Sequence, residues 1–263
     1  MTDKTILTDI DERGIATLTM NRPELHNAFD DALIATLTGE LRRLESDDAV
    51  RVVVLAAAGR SFSAGADLSW MRRMADYTRE ENLADALGLA ELMGTLATLK
   101  KPTIAAVQGA AYGGGVGLVA CCDIAIASRR ATFCLSEVKL GLIPAVISPY
   151  VVEAIGPRAA RRYFQSAESF GGDEAHRLGL VHEVTAEEEL SGAVERLAAG
   201  LLANGPRAMA AAKELVARVA AGPVDGAMIR DTAERIAATR ASDEGKEGLS
   251  AFLEKRKPAW VKG

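Results

Sequence analysis

The sequence predicts an α/β fold, a core of strands alternating with helices that ends in a helical C-terminal segment. Three observations carry that expectation. Short apolar runs rich in β-branched residues, such as RVVVLAAA at 51–58 and TIAAVQG at 103–109, alternate with stretches of helical period. Gly59, Pro102 and the glycines at 113–115 punctuate the boundaries between them. Beyond Ala186 the chain is alanine-rich and reads as successive helices, broken at Asn204–Pro206 and Gly222–Pro223. The expected division is a core over 1–200 and a helical oligomerisation segment over 201–263.

Taken in order, TILTDI and GIATLTM alternate apolar and polar residues around DERG and predict a hairpin. DDALIATLTGELRRLESD has apolar residues at helical spacing, with Asp30 or Asp31 as its cap. The strand at 51–58 runs into the loop GRSFSAGADLS, and helical stretches follow from about Trp70 to Leu99. After the strand at 103–109 come a helix ending near Cys122, a strand at DIAIAS and a short one at ATFCLS. Beyond Pro144 the pattern is mostly helical, interrupted by GLVHEV at 179–184.

Composition excludes several classes. A net charge of −5 argues against a nucleic-acid binder. Cys121, Cys122 and Cys134 lack zinc-ligand spacing, and His26, His176 and His182 are scattered, so no metal is expected. Buried thiols in a reducing compartment is the plain reading. The stretch MTDKTILTDIDERG has no apolar core of a secretory signal, which points to the cytoplasm. Residues 103–122 carry no charge and follow Lys100 and Lys101, as a membrane span would. Gln108, the triple glycine and the nearby Asp123 favour a buried strand followed by a buried helix instead.

The candidate chemistry lies in two loops. SAGADL at 63–68 and QGAAYGGG at 108–115 each join a strand to a helix through small residues, which let a ligand approach the main chain. Unpaired N–H groups at the two helix starts could converge as an oxyanion hole. Neither a G-K-[ST] sequence nor a G-x-G-x-x-G pattern is present, so a phosphate loop is not expected.

Together with NRPELHNAF, CDIAIAS, FCLSEVKLGLIP, AHRLGLVHEV and SDEGKEGLSAFLEKRKP, these loops resemble the crotonase superfamily, the enoyl-CoA hydratase/isomerase family, over residues 21–258. The resemblance implies a crotonase-like spiral of ββα units with a C-terminal helical trimerisation segment, assembled as a homotrimer or homohexamer. It implies an acyl-CoA thioester substrate, with coenzyme A part of that substrate and no separate cofactor. By position, Ala66 and Gly114 match the oxyanion amides. Ala64, with main chain near Asn27 and Ala28, would line the adenine pocket, and Phe252 and Lys255 match C-terminal residues that reach coenzyme A.

The family's hydratases usually carry two catalytic glutamates. The second corresponds to Glu137, whose pKa burial should raise; the first position is Gly117. Gly117 reads either as a close-packing glycine or as room in the cleft, which a carboxylate on the substrate could occupy. Two departures sit nearby: AVISPYVVEAIG at 145–156 replaces a glycine-rich stretch, and Glu24 stands where many members have a basic residue. In one enzymatic reading Glu137 protonates the α carbon, with water placed by the backbone, by Ser148 or Tyr150, or by a substrate carboxylate. In the other it shuttles a proton between two carbons, as in one-glutamate isomerases. A non-catalytic acyl-CoA-binding protein is the third reading. GADLSWM, GLVACCD, FCLSEV and PAVISPYVVEAIG are similar to the bacterial 3-methylglutaconyl-CoA hydratase branch and its isohexenylglutaconyl-CoA relatives.

Overall fold

In chain order the computed structural model, which describes residues 4–261, has β1 (Ile6–Ile10), β2 (Ile15–Met20), α1 (Asp31–Ser46), β3 (Val52–Ala57), α2 (Leu68–Met74) and α3 (Arg79–Ala97). Next come β4 (Thr103–Val107), β5 (Ala111–Tyr112), α4 (Gly114–Cys121), β6 (Ile124–Ser128), β7 (Thr132–Cys134) and α5 (Ser148–Ser166). The chain closes with β8 (Phe170–Gly171), α6 (Gly172–Leu178), β9 (Glu183–Thr185), α7 (Leu190–Leu202), α8 (Pro206–Ala220), α9 (Gly226–Ala241) and α10 (Asp243–Leu253).

The main sheet has the order β1-β2-β3-β4-β6-β9. The hairpin β1–β2 is antiparallel, and every later pairing in this sheet is parallel. A smaller sheet, β5-β7-β8, stands beside it. Parallel strands are usually covered on both faces, and β3 shows the result. Val53 and Leu55 pack with Leu33, Leu37, Leu92 and Met93 on one side. Val52 and Val54 pack with Leu190, Ala193 and Val194 of α7 on the other. A strand buried on both faces reads as an unbroken apolar run, as 52–57 does.

Local chemistry fixes the helix starts. Asp30 caps α1, its carboxylate accepting from Leu33 N at 2.7 Å. Thr78 and Glu81 form a capping box at α3, which divides the helical stretch after Trp70 into two helices. The uncharged stretch 103–122 resolves into β4, β5 and α4, and among the described residues no helix is long and apolar enough to cross a membrane. β5 and β8, two residues each, are too short for any alternation to reveal.

The order of the parallel strands positions the site. β3 and β4 are neighbours, so the loops leaving their C-terminal ends, 58–67 and 108–113, emerge side by side.

Candidate active site

Backbone pairing locks the two loops together. Ser63 N donates to Ala110 O, and Tyr112 N donates to Ser63 O, both at 2.9 Å. The first loop is also tied to the segment before α1. Phe29 N donates to Gly65 O, and Asp67 N donates to Phe29 O, both at 2.7 Å. In such a parallel bridge Phe29 engages the residues on either side of Ala66, so Ala66's own N–H points away from it. Gly114 opens α4, where N–H groups have no intrahelical acceptor. Among the described residues neither Ala66 N–H nor Gly114 N–H donates to another backbone carbonyl. Ala66 is exposed.

Gly113 has φ +50°, a conformation that favours glycine, and it turns the chain from β5 into α4. Its N–H donates to Cys134 O at 2.9 Å. A Cβ there would also lie 3.2 Å from Glu137 Oε1. That contact places the Glu137 carboxylate against the start of α4, beside the first loop, whose Gly65 Cα lies 4.0 Å from the same point. Glu137 begins a single 3₁₀ turn after β7. Its Oε2 is buried and has no hydrogen-bond partner. Burial pushes its carboxyl above the ordinary carboxylate range, opposed in part by its own backbone N–H. An unpaired buried oxygen is costly for stability, so its position calls for a ligand or a proton. The neighbouring carboxylate, Asp67, is already committed. It caps α2 through Ser69 N (2.7 Å) and Trp70 N (3.2 Å), and pairs with Arg22 at 3.4 Å.

Asn27, Ala28 and Ala64 are brought together as expected neighbours: Ala64 N donates to His26 O at 2.9 Å. Asn27 is fully buried. Its Oδ1 accepts from Arg22 N (2.8 Å), and its Nδ2 donates to Ala58 O and Ser61 O (both 2.9 Å). The side chain is therefore spent on shaping the loop after β3, leaving only main chain for a ligand. Two organising residues escaped the sequence reading. Arg22 joins Asp30 (2.7 Å), Asp67 and Ala28 O, and Gln108 Nε2 reaches Ala57 O, Gly59 O and Ser61 O. A lone polar side chain at the end of an apolar strand, as in TIAAVQG, was the available signal for Gln108.

Gly117 corrects an expectation. The room anticipated there is filled: a Cβ would lie 2.2 Å from Ile147 Cγ2, 2.9 Å from Ile147 Cβ and 3.1 Å from Met93 Cε. The packing reading describes this position. Ser148 spends its hydroxyl on Ala145 O at 2.7 Å, within its own turn. Tyr150 lies half-buried between α5 and α3, its hydroxyl 3.8 Å from where a Cβ on Gly94 would sit. Burial and the nearby Cys121 raise its pKa.

Phe252 and Lys255 lie elsewhere. Phe252 is 81 % exposed, and no hydrogen bond or ion pair among the described residues joins either one to the two loops. The C-terminal segment is instead fastened near the start of β3, where Arg51 donates to Trp260 O at 3.2 Å. The loops leave the other end of that strand.

The family model described as enoyl-CoA hydratase/isomerase matches residues 11–263. An enoyl-CoA hydratase structure from Shewanella pealeana is 46% identical, with a TM-score of 0.95 over 98% of this chain and 97% of that one. The crotonyl-CoA hydratase of Syntrophomonas wolfei is 33% identical, over 95% of each chain. The 1,2-epoxyphenylacetyl-CoA isomerase of Escherichia coli is 34% identical, over 95% of this chain and 96% of its own. With the fold and nearly the whole length in common, the chain belongs to the enoyl-CoA hydratase/isomerase family of the crotonase superfamily.

Proposed function

We propose that the protein is an enoyl-CoA hydratase in which Ala66 N–H and Gly114 N–H hold the thioester oxygen and Glu137 transfers the proton. The observation that carries this reading is the buried, unpartnered Glu137 Oε2 beside two loops in which the Ala66 and Gly114 amides donate to no backbone carbonyl. Donors fixed before the reaction stabilise an enolate oxygen without reorganising, each contributing roughly 10²–10³ in rate. The Glu137 carboxylate takes a proton from water as the water oxygen bonds to the β carbon. It then gives that proton to the α carbon, and it ends as it began. A raised pKa brings its two protonation states closer to balance near neutrality, as a group that both accepts and donates requires.

The coenzyme A moiety would lie along the main chain of Asn27, Ala28 and Ala64. In an oligomer Phe252 and Lys255 would reach it from a neighbouring subunit. A 3-methylglutaconyl-CoA-type substrate is what the resemblance carried by the GADLSWM and PAVISPYVVEAIG stretches implies. Its second carboxylate would have to lie toward Ser148 and Tyr150, because Ile147 fills the space over Gly117.

One observation favours a second reading, an isomerase moving a proton between the α and γ carbons. No side chain at 117 is available to activate water. Crotonyl-CoA, a glutaconyl-type thioester and a 3-enoyl-CoA, each followed by product identification, separate the readings. Addition of water to the first two supports the hydratase. Conversion of the 3-enoyl to the 2-enoyl thioester, with no hydration, replaces it by the isomerase. Binding without turnover of any of them leaves a non-catalytic acyl-CoA-binding protein.

A further inference from the structure

We infer that Ile147 and Gly117 act as one unit, and that Ile147 determines the reaction by limiting the site to a single acid/base group. The inference rests on the assignment of proton transfer to Glu137. Gly117 lies four residues beyond Gly113 on the same face of α4, and Gly117 N donates to Gly113 O at 3.3 Å. The Glu137 carboxylate sits against Gly113, so Gly117 is one helical turn, about 5.4 Å, farther along that face. There the neighbours are Ile147 Cγ2 and Met93 Cε, at 2.2 and 3.1 Å from the Cβ position. Both side chains are buried, Ile147 at 2 % and Met93 at 0 % exposure. Ile147 is β-branched and stiff about χ1, so it cannot swing clear cheaply.

The geometry has consequences in both directions. Any side chain at 117 collides with Ile147, so a carboxylate enters only if residue 147 becomes small. With Ile147 in place, the interior one turn from Glu137 is packed with methyl groups and supplies neither a base nor a hydrogen bond to water. Both the proton and the water must then be handled from the Glu137 side. Gly117 and the AVISPYVVEAIG stretch, two departures thirty residues apart in sequence, are one structural exchange.

The test uses Gly117→Glu, Ile147→Gly and the double variant, with crotonyl-CoA as substrate. Gly117→Glu should lose turnover about 10²-fold, because displacing Ile147 misplaces neighbouring groups. The double variant should recover most of that loss, and its kcat–pH profile should gain a second ionisation that the parent lacks. Ile147→Gly should be stimulated several-fold by added formate, a small carboxylate able to enter the vacated space, whereas the parent should not respond. Equal activity of Gly117→Glu and the parent would overturn the inference. So would a double variant no better than Gly117→Glu, or a folded Ile147→Gly indifferent to formate. The formate arm decides the matter if Gly117→Glu fails to fold. Glu137→Gln in the parent separates the two levels. Full turnover there removes the acid/base assignment itself, while loss of turnover without coupling between 117 and 147 removes only this inference.

Discussion

Glu137 puts stability and chemistry in opposition. Its carboxyl is raised by burial, so the folded protein binds a proton more readily than the unfolded chain does. The sign follows from linkage: stability falls as pH rises from the ordinary carboxylate range through the raised folded pKa, and the penalty stays constant above it. Glu137→Gln removes the ionisable group at nearly constant shape. Its Tm should exceed the parent's at pH 7–8, with the difference vanishing near pH 4; a difference that persists at pH 4 contradicts the linkage. The same variant should lose about 10²–10⁴ in turnover while still binding acyl-CoA, checked by steady-state kinetics and calorimetry. Asn27 shows the reverse balance. It is fully buried with both its N–H groups used, and at φ +53° it holds two carbonyls of the loop after β3 and the Arg22 N–H after β2. Asn27→Ala should cost about 2–4 kcal/mol in urea unfolding, from orphaned polar groups and left-handed strain.

At the scale of elements, the site is a product of strand order. Because β3 and β4 are adjacent, two loops separated by forty residues share backbone hydrogen bonds at Ser63, Ala110 and Tyr112. Gly114→Pro removes one amide at a first-turn position that tolerates proline. It should lower turnover about 10²–10³-fold with the helix retained by circular dichroism. Undiminished turnover in a folded variant would take Gly114 out of the oxyanion assignment. Much of this architecture was legible in the sequence, since alternation marked the hairpin, β-branched runs marked the buried strands, and the Asp30–Asp31 pair marked the start of α1, with the choice between them left to the structure. The two-residue strands β5 and β8 were not, because pairing with β7 defines them rather than any pattern of their own. The glycines at 113–115 announced close backbone approach, but nothing local in either segment showed that Gly117 is filled from Ile147. That contact exists only once α5 folds back onto α4. Arg22 is likewise an ordinary surface residue by sequence, and its pairing with Asp30 and Asp67 appears only when the loops meet.

At the scale of the whole molecule, the C-terminal helices are less completely covered than the core. Val216, Val224, Ile229, Leu249, Phe252 and Leu253 are all exposed in the single chain. So are Leu142 and Ile143, a few residues after Glu137. Apolar surface of this extent is characteristic of a face that meets another chain. α8 is tied to the sheet by Lys213 and Asp123 at 3.0 Å, and Trp260 Nε1 donates to Ala203 O at 3.0 Å, so the segment has a defined place on its own subunit. A homotrimer or homohexamer is the expected species in light scattering, and a monomer at micromolar concentration would contradict it. The separation of Phe252 and Lys255 from their own loops then becomes informative. If they serve a neighbour's coenzyme A, Lys255→Ala should raise KM with little change in kcat, because binding remote from the reacting carbons is lost equally in the ground and transition states. Complementation makes the test specific to a shared site. Glu137→Gln subunits lack the proton-transfer group but keep Lys255, and Lys255→Ala subunits do the converse. Mixed by unfolding and reassembly, some sites would pair an intact Glu137 with an intact Lys255 from the adjacent chain. At low substrate concentration the mixture should exceed the sum of the two separate variants. Strict additivity in demonstrably mixed oligomers would mean that each chain builds its coenzyme A pocket alone.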